Sequence, residues 1–83
     1  MRLVLTATGG DTWLTVRART AQGKSLYFGI LPQGQSITLA GRVWARFGGA
    51  SDLAARLNGK PLELPAGTYN ALITADGLRK LAE

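Results

Sequence analysis

The sequence contains no cysteine and no histidine. Without cysteine there is neither a disulfide framework nor a thiolate metal site, so a domain of this size must hold together by packing. Without histidine the commonest general base and metal ligand are gone. Acids are scarce: Asp11, Asp52, Glu63, Asp76 and Glu83 are all there are. They fall mostly in turn-like segments, where a short carboxyl side chain bonds its own backbone. No two recur at a spacing that pairs them locally for carboxylate catalysis. Long apolar runs are missing too, and no stretch approaches the ~20 residues a membrane helix needs. Met1-Arg2 leads straight into an alternating segment, so no signal peptide is read there. If the protein is exported, its targeting segment is expected outside this chain. Together these absences argue against an enzyme, and neither a metal nor a cofactor is expected.

What is present suits a folded domain. Of 83 residues, 46% are hydrophobic and 18% charged, the balance of a globular chain too short for two cores. A single domain is expected over 1–83, with a core over 3–74 and a tail at 75–83. Ten Lys/Arg against five Asp/Glu give a net charge of +5. Because the basic residues are dispersed, they read first as a solvated surface. They also favour anionic partners such as nucleic acid, anionic lipid or an acidic cell-wall polymer.

Period-2 alternation runs from one end to the other. Leu3, Leu5 and Ala7 share one strand face, and after the Gly9-Gly10-Asp11 turn Leu14, Val16 and Ala18 share another. Thr20-Ala21-Gln22-Gly23 reads as a hairpin loop in which Gly23 supplies a positive φ. Leu26, Phe28 and Ile30 are then expected to face the core, with Tyr27 opposite. Beyond the Leu31-Pro32-Gln33-Gly34 turn come Ile37 and Leu39, then Val43, Ala45 and Phe47. A Gly48–Asp52 loop leads to Leu53, Ala55 and Leu57. Asn58-Gly59 between apolar residues predicts a two-residue type I′ hairpin, and Pro61 behind it suits an edge strand. Tyr69, Ala71 and Ile73 mark a last strand, and Leu78–Glu83 is expected as one helical turn or a frayed end. Seven or eight short strands with such turns predict an all-β, antiparallel, immunoglobulin-like β-sandwich. The alternative is a small, partly open barrel.

Two motifs mimic chemistry. Gly23-Lys24-Ser25 resembles the end of a phosphate-binding loop, but Ala18 stands where that motif needs glycine, and a strand follows where it needs a helix. Ser25 beside Lys24 offers a nucleophile pair with no oxyanion hole.

The two tryptophans resist a purely structural reading. If the alternation sets the core side, Trp13 points outward with Arg17 and Arg19, and Trp44 points outward with Arg42 and Arg46. Exposed indole beside guanidinium suits stacking or partner recognition. Alternatively each tryptophan covers a sheet end, or a bulge turns it inward. The expected partner-binding set is Trp44, Arg42, Arg46, Trp13 and Arg17.

The order of several segments is also familiar. It runs Asp11-Thr12-Trp13-Leu14-Thr15-Val16, then Gly23-Lys24 with Leu26-Tyr27-Phe28-Gly29-Ile30-Leu31, then Gly34-Gln35-Ser36. Phe47-Gly48-Gly49-Ala50 and Leu57-Asn58-Gly59-Lys60-Pro61-Leu62 follow. Over residues 3 to 74 this set resembles the C-terminal extracytoplasmic domain of RodZ-like bacterial cell-shape proteins, a domain of unknown function. The resemblance implies a protein with a cytoplasmic helix-turn-helix domain that contacts the actin-like cytoskeleton, one membrane span and a linker. This β-domain would lie outside, in the periplasm or at the cell surface. It also implies protein binding, with a protein of cell-wall synthesis or the wall polymer as partner.

Three functions follow in order of expectation. The first is a non-catalytic interaction module. The second is a basic nucleic-acid-binding small barrel, disfavoured because single-strand binders need several aromatics on adjacent strands and Phe28 and Phe47 are expected in the core. The third is a passive spacer.

Overall fold

The computed structural model describes residues 1–81. Within them the chain forms strands β1 (Arg2–Ala7), β2 (Thr12–Ala18), β3 (Ser25–Leu31), β4 (Ser36–Ala40), β5 (Val43–Phe47), β6 (Leu53–Leu57), β7 (Lys60–Leu62), β8 (Tyr69–Thr74) and β9 (Gly77–Leu81). They build two antiparallel sheets, ordered β4-β1-β6-β7 and β3-β2-β5-β8-β9. The sheets are separately paired and do not close into a barrel, so the sandwich expectation holds. The strand number rises from about seven to nine.

Register explains the core. In the four-stranded sheet Leu3 lies between Leu39 and Leu57, and Leu5 between Ile37 and Ala55. In the five-stranded sheet Leu14 pairs with Phe47 and Val16 with Ala45, while Val43, Ala45 and Phe47 pair onward with Ile73, Ala71 and Tyr69. These rows set large side chains beside small ones, which lets two inner faces interdigitate. Leu3, Leu5, Leu14, Val16, Val43, Phe47 and Ile73 are completely buried. Phe47 meets Tyr69 edge-on, with ring centroids 5.4 Å apart.

The strongest turn signal forms as its chemistry requires. Asn58 and Gly59 take φ values of 53° and 85°, the pair of positive angles a type I′ hairpin needs. Pro61 sits on β7, the edge strand of its sheet, where a missing N–H costs no ladder bond.

Three expectations are corrected. The first concerns β3: Leu26, Phe28 and Ile30 are exposed and Tyr27 packs against the core. The register sets Tyr27, Gly29 and Leu31 opposite Val16, Leu14 and Thr12, and it shifts between Val16 and Arg17. A one-residue slip turns every side chain of a strand to the other face, and the run from Leu26 to Leu31 carries no charged residue to mark which face is wet. The second concerns Gly23, whose φ is not the positive one; Arg19 takes φ 69° instead. Gly23 is required for space, because a Cβ there would stand 1.7 Å from the Ala18 carbonyl oxygen. The third concerns the tail. Gly77–Leu81 is neither helical nor frayed but pairs with β8 as β9, Leu78 opposite Ile73. The remainder of that tail, residues 82 and 83, lies outside the described residues.

Candidate functional site

The outer face of the five-stranded sheet is fixed by the same registers that build the core. Because Leu14, Val16, Val43, Ala45 and Phe47 point inward, their neighbours Trp13, Arg17, Trp44 and Arg46 point outward. Arg17 stands directly opposite Trp44, which faces Leu72 on its other side; Thr15 lies opposite Arg46, which faces Asn70. Arg42 precedes β5 by one residue and continues its outward side. The five residues singled out from the sequence therefore share one face. Neither tryptophan turns inward, and the register shift of β2 against β3 lies beyond Trp13, at Val16/Arg17.

Both tryptophans are half-buried rather than fully exposed. Trp13 owes its cover to two neighbours. Phe28, on β3, meets it edge-on with centroids 5.7 Å apart, and Gly48 lies beneath it, where a Cβ would come within 3.2 Å of the Trp13 Cβ. The Gly48 N–H also donates to the Trp13 carbonyl at 2.8 Å. Glycine at 48 thus makes room for the indole to lie along the sheet. Trp44 takes its cover from the row it occupies, between Arg17 and Leu72.

Two of the arginines are held. Arg17 donates from Nη1 to the Gly23 carbonyl at 3.1 Å, which ties it to the hairpin loop. Arg46 donates to Asn70 Oδ1 at 2.9 Å. Arg42 is exposed and borders a shallow hollow of about 380 Å³ that Leu72, Thr74, Asp76 and Arg79 also line. On this face β2, β5, β8 and β9 present Arg17, Arg46 and Arg79 but no carboxylate; Asp76 stands in the turn beyond β8. The cation–π contact between described residues lies elsewhere, with Lys80 Nζ 4.9 Å from the centre of the Tyr69 ring.

The face extends beyond the residues read from the sequence. Phe28 and Ile30 join it because of the β3 correction, Leu72 and Arg79 because β8 and β9 pair, and Gly48 because it underlies Trp13. No signal in the sequence marks Phe28, because both rows of β3 are rich in apolar side chains and only the pairing with β2 decides which faces out. Chemically the arrangement offers flat π surfaces, fixed guanidinium donors and apolar edges. No nucleophile–base pair lies on it. Among the described residues no cluster of His, Cys, Asp or Glu is placed to hold a metal ion.

One of three comparisons with known proteins gives a match. The family model described as the RodZ C-terminal domain matches residues 4–73. No curated protein and no solved structure gives a match.

Proposed function

The chain belongs to the RodZ C-terminal domain family, and from that premise we propose that it is a non-catalytic interaction module of a membrane-anchored, RodZ-like protein. It works outside the cytoplasm and links the cell-shape machinery to cell-wall synthesis, meeting either a protein of wall synthesis or the wall polymer itself. The observation that carries this reading is the shared outward face of Trp13, Arg17, Arg42, Trp44 and Arg46. Aromatic and arginine side chains are the residues that dominate protein interfaces, and indole also stacks on sugar rings. The absence of histidine, cysteine and paired acids supports a binding role over a catalytic one.

The test is a titration of the isotope-labelled domain with solubilised cell-wall fragments at physiological salt, following the two indole N–H signals by NMR. Shifts confined to Trp13, Trp44 and the neighbouring arginines would identify the polymer as the ligand. Silence at millimolar fragment, followed by the same shifts on adding the extracytoplasmic region of a wall-synthesis membrane protein, would identify the protein instead. No perturbation of this face by either would remove the reading.

A second reading gains from one observation. With Phe28 outside, aromatics stand on three adjacent strands, β3, β2 and β5, among arginines, which is what a single-stranded nucleic-acid platform requires. Its signature is steep salt dependence: oligonucleotide affinity falling by orders of magnitude between low and physiological salt. Binding that is weak at every salt concentration rejects it.

A further inference from the structure

Among the described residues the exposed large hydrophobic side chains are Leu26, Phe28 and Ile30, at 40%, 70% and 54% exposure. All three lie on β3, an edge of the five-stranded sheet. Edge strands are normally blunted by charge, proline or shortness, because their open backbone groups invite another strand. The other three edges follow that rule or expose little apolar surface. β7 is three residues long and carries Lys60 and Pro61; β9 carries Arg79 and Lys80; the outward side chains of β4 are Ser36, Thr38 and Ala40. β3 has seven residues, no charge and no proline.

The free groups of that edge can be assigned. Trp13 gives its carbonyl to Gly48 on the β5 side, so Thr12, Leu14 and Val16 direct theirs toward β3, to Leu31, Gly29 and Tyr27. Phe28 and Ile30 then direct N–H and C=O to the open edge. The Ile30 carbonyl already accepts the Tyr27 hydroxyl at 2.9 Å, and a carbonyl keeps a second lone pair for another donor.

We propose that a second copy of this chain pairs with β3 along its open edge, antiparallel, about a two-fold axis at Phe28. In that register Phe28 faces Phe28 of the second copy and Leu26 faces its Ile30. Charge agrees with the antiparallel sense. Lys24 marks one end of β3, and Asp11 marks the other, where its Oδ1 accepts the Gln33 N–H at 2.8 Å. Antiparallel pairing brings each Lys24 toward the second copy's Asp11 end, whereas parallel pairing would set like charges together. The interface is isologous and closed. It joins two five-stranded sheets into one and runs an aromatic row from Trp13 through both Phe28 rings. Regular pairing is confined to Tyr27–Gly29, because the register shift at Val16/Arg17 leaves Leu26 without a partner on β2 and makes its approach to the second copy's Ile30 irregular. The dimer is therefore short and concentration-dependent. The inference is independent of what the tryptophan–arginine face binds; it would present two such faces side by side.

Because the chain has no cysteine, single substitutions read out the register. Phe28→Cys should cross-link to itself under copper–phenanthroline oxidation. Ile30→Cys alone should not, since its two copies would stand about four residues, or ~13 Å, apart along the strands, beyond disulfide reach. In sedimentation equilibrium from micromolar to millimolar protein, the mass should rise from 8.8 kDa toward twice that value. Phe28→Asp, at an exposed position that leaves the fold intact by circular dichroism, should weaken association at least tenfold. A mass fixed at 8.8 kDa, failure of Phe28→Cys to cross-link, or equal cross-linking at both positions overturns the proposal. A fixed mass together with β3 shifts on adding another protein or anionic vesicles would assign the edge to that occupant instead.

Discussion

The sandwich has two outer faces, and they differ in kind. On the five-stranded sheet, tryptophan, phenylalanine and arginine alternate across neighbouring strands. On the four-stranded sheet the outward residues are small or polar: Val4 and Thr6 on β1, Ser36, Thr38 and Ala40 on β4, Ala54 on β6. The Thr6 and Ser36 hydroxyls simply bond each other at 2.7 Å. Both faces carry arginine, since Arg2 and Arg56 lie on the second. Positive charge is therefore not what separates them, and the net +5 is a weak guide to the site. The separating feature is the aromatic platform among the arginines. A solvated sheet face needs no indole, and half-buried tryptophan beside guanidinium is the composition of a contact surface.

The comparison breaks if the faces, rather than the core they share, hold the fold together. The largest effect is therefore expected in the core. Phe47 is completely buried between the sheets, and Phe47→Ala should cost about 3 to 5 kcal/mol by urea unfolding. For a domain this small that is a large share of the total stability. A loss below about 1 kcal/mol would mean that the core is looser than the packing shows. Trp13→Ala comes next, at about 2 kcal/mol, because the indole is half-buried against Phe28 and Gly48. It should also abolish ligand-induced shifts on its own face. Thr38→Ala, the corresponding change on the polar face, should stay within about 0.5 kcal/mol and alter no binding. Equal effects of the two on binding would erase the distinction between the faces.

How far this contrast was legible beforehand depends on which residue marked the wet side. In β2 and β5 the arginines did so, and alternation then assigned Leu14, Val16, Val43, Ala45 and Phe47 to the core, while for the two tryptophans a bulge or a sheet end stayed open until the register was known. In β3 nothing did. No residue from Leu26 to Leu31 is charged, the one hydroxyl is that of Tyr27, and hydrophobicity alone cannot choose between two largely apolar rows. The choice was made by pairing with β2 in a ladder whose register shifts between Val16 and Arg17. The tail failed for a related reason. Gly77-Leu78-Arg79-Lys80-Leu81 has no clean period, and it is a strand because β8 offers an open edge and Ala75-Asp76 makes the turn. Gly77 at φ 121° supplies a backbone angle that few other residues accept. Hairpins whose turn chemistry is explicit, such as Asn58-Gly59, were readable from four residues.

That hairpin also sharpens the comparison, because it belongs to the sheet with the polar face. Asn58 holds φ 53°, and its Oδ1 accepts the Arg2 N–H at 2.8 Å while its own N–H donates to the Arg2 carbonyl at 2.8 Å. Asn58→Ala removes the side-chain bond and places a poorer residue at a left-handed angle, for an expected loss of about 1 to 2 kcal/mol. The indole signals of Trp13 and Trp44, and any ligand response, should be unchanged. Loss of binding in this variant would show that the two faces are coupled through the core and that the site is not confined to one sheet.

The smallest effect is expected on the inner side of the five-stranded sheet, where Tyr69 is buried against Phe47 with a hydroxyl that has no hydrogen-bond partner. Burial raises its pKa above the ordinary value of 10. The neutral phenol is thus favoured in the fold, while the unfolded chain ionises at the ordinary value. Stability from this difference is complete below pH 10 and is lost as pH rises from 10 toward the raised pKa. Tyr69→Phe removes an unpaired polar atom and keeps the ring, so near neutral pH it should change stability by no more than about 0.5 kcal/mol, or raise it. It should also flatten the alkaline fall in stability measured by urea midpoint over the range from about pH 9 to 11, roughly one unit either side of the ordinary phenol value. A clear destabilisation at neutral pH would mean that the hydroxyl finds a partner in solution. The inner face of this sheet would then be polar where its outer face is aromatic, and the division between core and contact surface would have to be redrawn at Tyr69.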